Sequence, residues 1–257
     1  MLHTIFQIDY SIPIIFTAIH SGHQLSDICS KNMKLPEYLR LMEEDPYTDI
    51  FAKIHDNYII PPYSRFEVDL NRSRTSALYR KPEDCWGLDS RTKEPNEEQI
   101  NFAYKIYDDF YSETKKHLDI LSKKHKKFIV LDLHSYNHNR LGNGKEFDDP
   151  EKNPEIIIGT NNMPAKWKPF IKDFHNHILS FDYFGRQIDA RIDVKFPGGN
   201  FSRWIHNNYP ENGIAIALEY KKIFMNEWTN ELYEKEFLQL QKLTEFMRTF
   251  LLETIKK

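Results

Sequence analysis

Three apolar runs in the chain stop on a residue that can hold a metal or move a proton. IIFTAIH ends at His20, FIVLDLH at His134 and IAIALE at Glu219. Short unbroken apolar runs between polar flanks predict strands buried on both faces, as in a parallel sheet. In open α/β sheets, ligands bind at the carboxyl ends of the strands. Two imidazoles and a carboxylate delivered to one sheet edge therefore point to a site, and a hydrolytic zinc centre suits them best.

The pattern between these runs alternates strand and helix. Residues 13–19 read as the first buried strand. Residues 36–54 read as helix, broken by Pro46. FEVDL (66–70) alternates and reads as a second strand, and Ser73 to Pro95 as a long loop over the sheet. Asn96 is a good N-cap for a helix running to about Lys124, with Ile100, Ala103, Ile106, Phe110, Leu118 and Leu121 on one face. FIVLDL (128–133) is a central strand. Residues 137–155, with Gly142, Gly144, Pro150 and Pro154, are loop. EIIIGT is a short strand, 165–180 a helix, RQIDARID an edge strand, FPGGNFSRW a loop and GIAIALEY another buried strand. From Asn230 an amphipathic helix closes the chain. This order predicts one α/β domain over residues 1–257, with a mixed, mostly parallel central sheet flanked by helices.

Composition narrows the function. A chain of 257 residues is long enough for one large core. The net charge of -3 offers no basic excess for nucleic acid. No stretch reaches the ~18 consecutive apolar residues of a membrane span. Two cysteines, Cys29 and Cys85, are too few for a disulfide framework, and MLHTIFQIDY lacks the features of a signal peptide. The expected location is the cytoplasm; the oligomeric state is not legible.

His20-Ser-Gly-His23 puts two imidazoles three residues apart just after a strand, and Gly22 permits a sharp exit. Two ligands from one segment and a distant third leave a position open for water, the plan of catalytic zinc. His134 is the distant one, and Asp132, two residues earlier on the same side of the strand, can orient it. EEDPYTD (43–49) adds carboxylates that could replace His23 as a ligand. Asn71 and Arg72 follow FEVDL. The planar guanidinium of Arg72 suits a substrate carboxylate, whereas Arg65 and Arg74 read as surface ion pairs. Glu219, at the end of a buried strand, suits a base that takes a proton from water and returns it to a leaving amine. A structural Glu219, paired with Lys221 or Lys222, is the competing reading.

Taken together, AIHSGH (18–23), EEDPYTD (43–49), SRFEVDLNR (64–72), LDLHSYNHNR (131–140), FPGGNFSRWIH (196–206) and ALEYKKIFMNEW (217–228) resemble the N-formylglutamate amidohydrolase family. The resemblance implies a zinc-carboxypeptidase-like (phosphorylase/hydrolase-like) fold, related to the zinc carboxypeptidases and aspartoacylases. It implies one zinc ion on His20 and His134, with Glu219 as the catalytic glutamate and Asn71 and Arg72 on a substrate carboxylate. Where carboxypeptidase relatives place a ligating glutamate three residues after the first histidine, this chain has His23. Asp45 or Glu44 then becomes the alternative oxygen ligand, Asp45 foremost, with His23 close by. The implied substrate is a small acidic N-acyl amino acid, N-formyl-L-glutamate first. Arg140 and Arg203, on the loops at 137–150 and 196–206 that would close the pocket, are candidates for a second carboxylate contact. Another N-acyl amino acid or a peptide, or a binding protein without turnover, are the rival readings.

Overall fold

The computed structural model describes residues 2–255. At its centre is a seven-stranded sheet in the order β1-β3-β2-β4-β9-β5-β8. These strands are β1 (Ile5–Gln7), β2 (Ile14–Thr17), β3 (Tyr58–Ile60), β4 (Phe128–Tyr136), β5 (Ile156–Gly159), β8 (Ala190–Ile192) and β9 (Gly213–Lys221). The central run β3-β2-β4-β9 is parallel, as is the β5–β8 pair. Antiparallel contacts join β1 to β3 and β9 to β5. The mixed, mostly parallel sheet is therefore present. The hairpin β6 (Asp182–Tyr183) and β7 (Arg186–Gln187) stands apart from it.

Alternation along the central strands sorts side chains to two faces. Ile129, Leu131, Ile214, Ile216 and Leu218 join a core with residues of α3 (Thr48–Ala52), α5 (Lys168–Leu179) and α7 (Glu234–Ile255). Phe128, Val130 and Ala215 face the other way, packing with α4 (Glu97–Lys124) and α6 (Asn200–Asn208). By the same parity Asp132, His134 and Glu219 point to the α4/α6 face. Asn96 caps α4, accepting from Gln99 N at 2.9 Å, and Glu97 and Glu98 complement the helix dipole.

The helical segment 36–54 divides as its proline requires. It forms α2 (Glu37–Glu43) and α3, with Asp45 and Pro46 between them and outside both. A short α1 (Asp27–Asn32) precedes them. Three expectations are corrected. RQIDARID is not one strand: Arg186–Gln187 pairs in the separate hairpin, and only Ala190–Ile192 joins the sheet edge. FEVDL is a run of turns: Glu67 N and Val68 N bond back to Ser64 O, and Asp69 N bonds Ala77 O. Phe66, Val68 and Leu70 are buried, but so are Glu67 and Asp69, because each carboxylate has internal partners. Alternation here records burial on both sides, not a strand. FPGGNFSRW is loop only as far as Gly199; α6 begins at Asn200.

Candidate active site

The site is built at the carboxyl ends of β2, β4 and β9. The ladder sets Thr17 beside Asp132 and His134 beside Glu219. Thr17 Oγ1 donates to Asp132 Oδ1 at 2.5 Å, and the other oxygen of Asp132 lies 2.8 Å from His134 Nε2. This turns His134 Nδ1 inward, 3.0 Å from Asp45 Oδ2. His20, three residues beyond β2, does the same: its Nε2 sits 2.7 Å from Asp69 Oδ1, and its Nδ1 3.5 Å from Asp45 Oδ2. Asp45 is itself pinned, because its N–H donates to His20 O at 3.0 Å and its carbonyl accepts from Thr48.

His20, Asp45 and His134 are buried, and one ligand atom from each falls within 4.8 Å of the others. Two neutral imidazoles and a carboxylate suit zinc, and a carboxylate behind each histidine is the arrangement that fixes the tautomer and orientation of metal-bound imidazoles. These donors fit a divalent ion of the zinc type. Without one, the group is an ion-pair cluster. Burial disfavours the charged form of His134, but the neighbouring Asp132 overrides this and raises its pKa well above the ordinary range. Burial would raise Asp45, yet hydrogen bonds from His134 and His20 hold it well below the usual carboxylate range. At Asp69 burial is likewise outweighed, mainly by the charge of Arg65 and then by His20.

Glu219 faces the same cleft. Burial pushes its pKa up to about 7; Asp45 adds to the rise, while His134, His20 and Arg65 oppose it. The lysines that could have neutralised it from its own strand are engaged elsewhere. Lys221 donates to Asn153 O, and Lys222 to Met42 O and Glu44 O. The cleft, about 130 Å³, is closed by Arg65, Asn71, Arg140, Ser135, Asn137 and Lys222, with Trp86 and Phe196 at its sides.

The family model for N-formylglutamate amidohydrolase matches residues 12–225. The chain belongs to that family. Among solved structures, an N-formylglutamate amidohydrolase from Ralstonia eutropha is similar over 98% of both chains, at 13% identity and a TM-score of 0.75. A gene product of Agrobacterium tumefaciens is similar over 99% of this chain and 96% of its own, at 14% identity and a TM-score of 0.65. A metallo-carboxypeptidase from Pseudomonas aeruginosa aligns over 95% of this chain and 56% of its own, at 12% identity and a TM-score of 0.38. Among the curated proteins compared with the chain, none matches it.

In this member of the N-formylglutamate amidohydrolase family, the candidates divide by location. His23 lies outside the metal cluster: its Nδ1 meets Glu44, and its Nε2 is 3.2 Å from both Glu37 and Arg40. Glu44 is also committed elsewhere, to His23 and Ser64. Gly22 packs directly on residues 61–63; a Cβ there would lie 2.4 Å from Tyr63 O. Gly22 thus serves close backbone approach rather than a left-handed turn.

Asn71 lines the cleft, but its Oδ1 accepts from Phe201 N at 2.9 Å and so holds the start of α6. Arg72 is outside the lining; it rests over Tyr79, with its Nε 3.5 Å from Asp69 Oδ2. Arg65, read from sequence as a surface ion pair, is the arginine inside. It donates to Asp69 Oδ2 at 2.9 Å and Glu43 O at 3.1 Å, with its guanidinium over Trp86. Arg140 grips Glu43 with two hydrogen bonds, of 2.7 and 2.9 Å, at the cleft wall. Arg203 is exposed on α6, away from the cleft, and Arg74 pairs with Asp108. Also at the cleft, and not singled out by the sequence pattern, are Asp69 behind His20 and, in the lining, Ser135, Asn137 and Lys222. The first had a signal, its place two residues before Asn71; the others had none beyond following a buried strand.

Proposed function

We propose that the protein is a zinc-dependent amide hydrolase that cleaves a small acidic N-acyl amino acid, with N-formyl-L-glutamate, giving formate and L-glutamate, as the leading substrate. The observation that carries this reading is the buried His20–Asp45–His134 cluster beside Glu219. His20, Asp45 and His134 would hold the ion, oriented by Asp69 and Asp132. A bound divalent ion supplies Lewis acidity, bringing the pKa of a water toward ~7 and polarising the amide carbonyl.

The remaining chemistry belongs to the chain. Glu219 takes the proton of the attacking water as its oxygen bonds to the acyl carbon. It then delivers that proton to the amide nitrogen as the C–N bond breaks, so water and amide become acid and amine. A carboxylate raised toward neutral pH by burial is matched to both transfers. Arg65 and Asn71 bound the cleft next to Asp69 and supply donors for a substrate carbonyl or carboxylate. Arg72 stands behind them as the outer cation. The buried, unpaired cysteines suit a reducing cytoplasm, and no helix among the described residues is long and apolar enough to cross a membrane.

The test is formate release from N-formyl-L-glutamate by wild type and by Glu219→Gln. The variant should lose at least ~10³-fold in kcat while still binding one metal ion, since it removes the proton carrier and not a ligand. Wild-type-like turnover by the variant would remove Glu219 from this role.

A further inference from the structure

Lys222 follows the last residue of β9, and its N–H donates to Tyr136 O at 3.0 Å, which carries the β4–β9 ladder one step further. Its side chain is 1% exposed. The ammonium donates to two carbonyls at the end of α2, Met42 O at 2.6 Å and Glu44 O at 2.8 Å. An ammonium has three N–H groups, so one is left over, and the residue lines the cleft that holds Glu219.

The other cations of that cleft are neutralised within the protein: Arg65 by Asp69 and Arg140 by Glu43. Among the described residues, no carboxylate oxygen comes within the 4.0 Å of an ion pair with Lys222. Asp45, Glu43 and Glu227 act on it only from beyond that distance, and two neutral carbonyls offset only part of the cost of burying the charge. Two further groups in the same wall lack partners. Ser135 Oγ and Asn137 Oδ1 are buried without a hydrogen bond, at the end of β4 beside the ligand His134. An unpartnered hydroxyl and a spare N–H facing one cleft describe a subsite for an anion that arrives with the substrate.

We propose that Lys222, with Ser135, receives the side-chain carboxylate of the substrate and sets a preference for acidic over neutral N-acyl amino acids. The proposal rests on the hydrolase reading above and deepens it. Lys222 is distinct from Asn71, Arg72, Arg140 and Arg203, and the substrate's carboxylate would be its first direct ion-pair partner.

The probes are N-formyl-L-glutamate and N-formyl-L-glutamine, which differ in one charge at nearly constant shape. If wild type hydrolyses neither, the hydrolase reading fails and this subsite fails with it. If wild type works, Lys222→Met, assayed per equivalent of bound metal, should lose about 100-fold in kcat/KM on the glutamate compound and under about threefold on the glutamine compound, as truncating one partner of a buried ion pair does. Equal losses on both would make Lys222 a mere support for the Asp45 segment and overturn the proposal. Should Lys222→Met not fold, Ser135→Ala decides, because it removes a hydroxyl that holds nothing in the protein. It should lose about fivefold or more on the glutamate compound and less on the glutamine compound, since hydrogen bonds to a charged acceptor are the stronger ones. No loss, or the same loss on both, overturns the assignment.

Discussion

Each histidine of the candidate centre is held by a buried carboxylate behind it, Asp69 for His20 and Asp132 for His134. Asp132 is the clearest case: Thr17 holds one oxygen and His134 the other. This makes a residue-scale prediction. His134→Ala should abolish stoichiometric zinc binding, whereas Asp132→Ala should keep the ligands and weaken zinc affinity about 10–100-fold. Metal analysis after dialysis and a competition titration distinguish the two; an Asp132→Ala protein with wild-type affinity would show that the tautomer needs no carboxylate. At this scale the sequence was readable where a residue ended an apolar run, as with His20, His134 and Glu219. It left open the positions that depend on which way a loop turns. Arg65 and Arg72 flank the same buried Asp69, and nothing in their order says which one faces the cleft. His23 and Asp45 posed the same problem: His23 meets Glu44, while Asp45 lies between His20 and His134.

Among the elements, α6 links fold to site most directly. Asn71, from the turn after Leu70, accepts from Phe201 N through its side chain and from Asn200 N through its carbonyl. Gly199 makes this possible, because a Cβ there would lie 2.1 Å from Asn71 Oδ1. Gly199→Ala should therefore push Asn71 aside, lose the cap for roughly 1–2 kcal/mol of stability, and raise KM through the displaced cleft wall. Thermal melts and substrate kinetics on the same preparation check it; unchanged values of both would mean the wall yields freely. The long helices and central strands were legible because each buries a periodic face against the sheet. The strands β1 and β3 were not, being three residues each. The FEVDL segment shows the converse, an alternating pattern satisfied by turns because its polar residues found buried partners.

For the whole molecule, the metal-free cluster links stability to pH. Glu219, ordinarily near 4.5, holds its proton in the fold to about 7. Between those values the native state binds more protons than the unfolded state, so stability falls as pH rises. His134, ordinarily near 6.5, keeps its proton well above that value. Its contribution is complete below 6.5 and is lost as pH rises past its folded value, the same direction. His55, His138 and His206, kept neutral by burial, act in the opposite sense and are common to wild type and Glu219→Gln, so metal-free wild type should lose melting temperature relative to metal-free Glu219→Gln between pH 5 and pH 8. The metal-loaded protein should lose this slope, because a divalent ion displaces the imidazole proton and favours ionised Glu219. A metal-free difference between the two proteins that stays constant over the window would contradict the charge assignment of Glu219.

The central claim is that hydrolysis runs on a metal held by His20, Asp45 and His134. Its most direct test is the rate of formate release from N-formyl-L-glutamate as zinc is titrated into chelator-stripped protein. The rate should be negligible in the stripped protein and rise linearly to a break at one equivalent of zinc. Full activity in the stripped protein, or none at any zinc level in a protein that binds one equivalent, would contradict it.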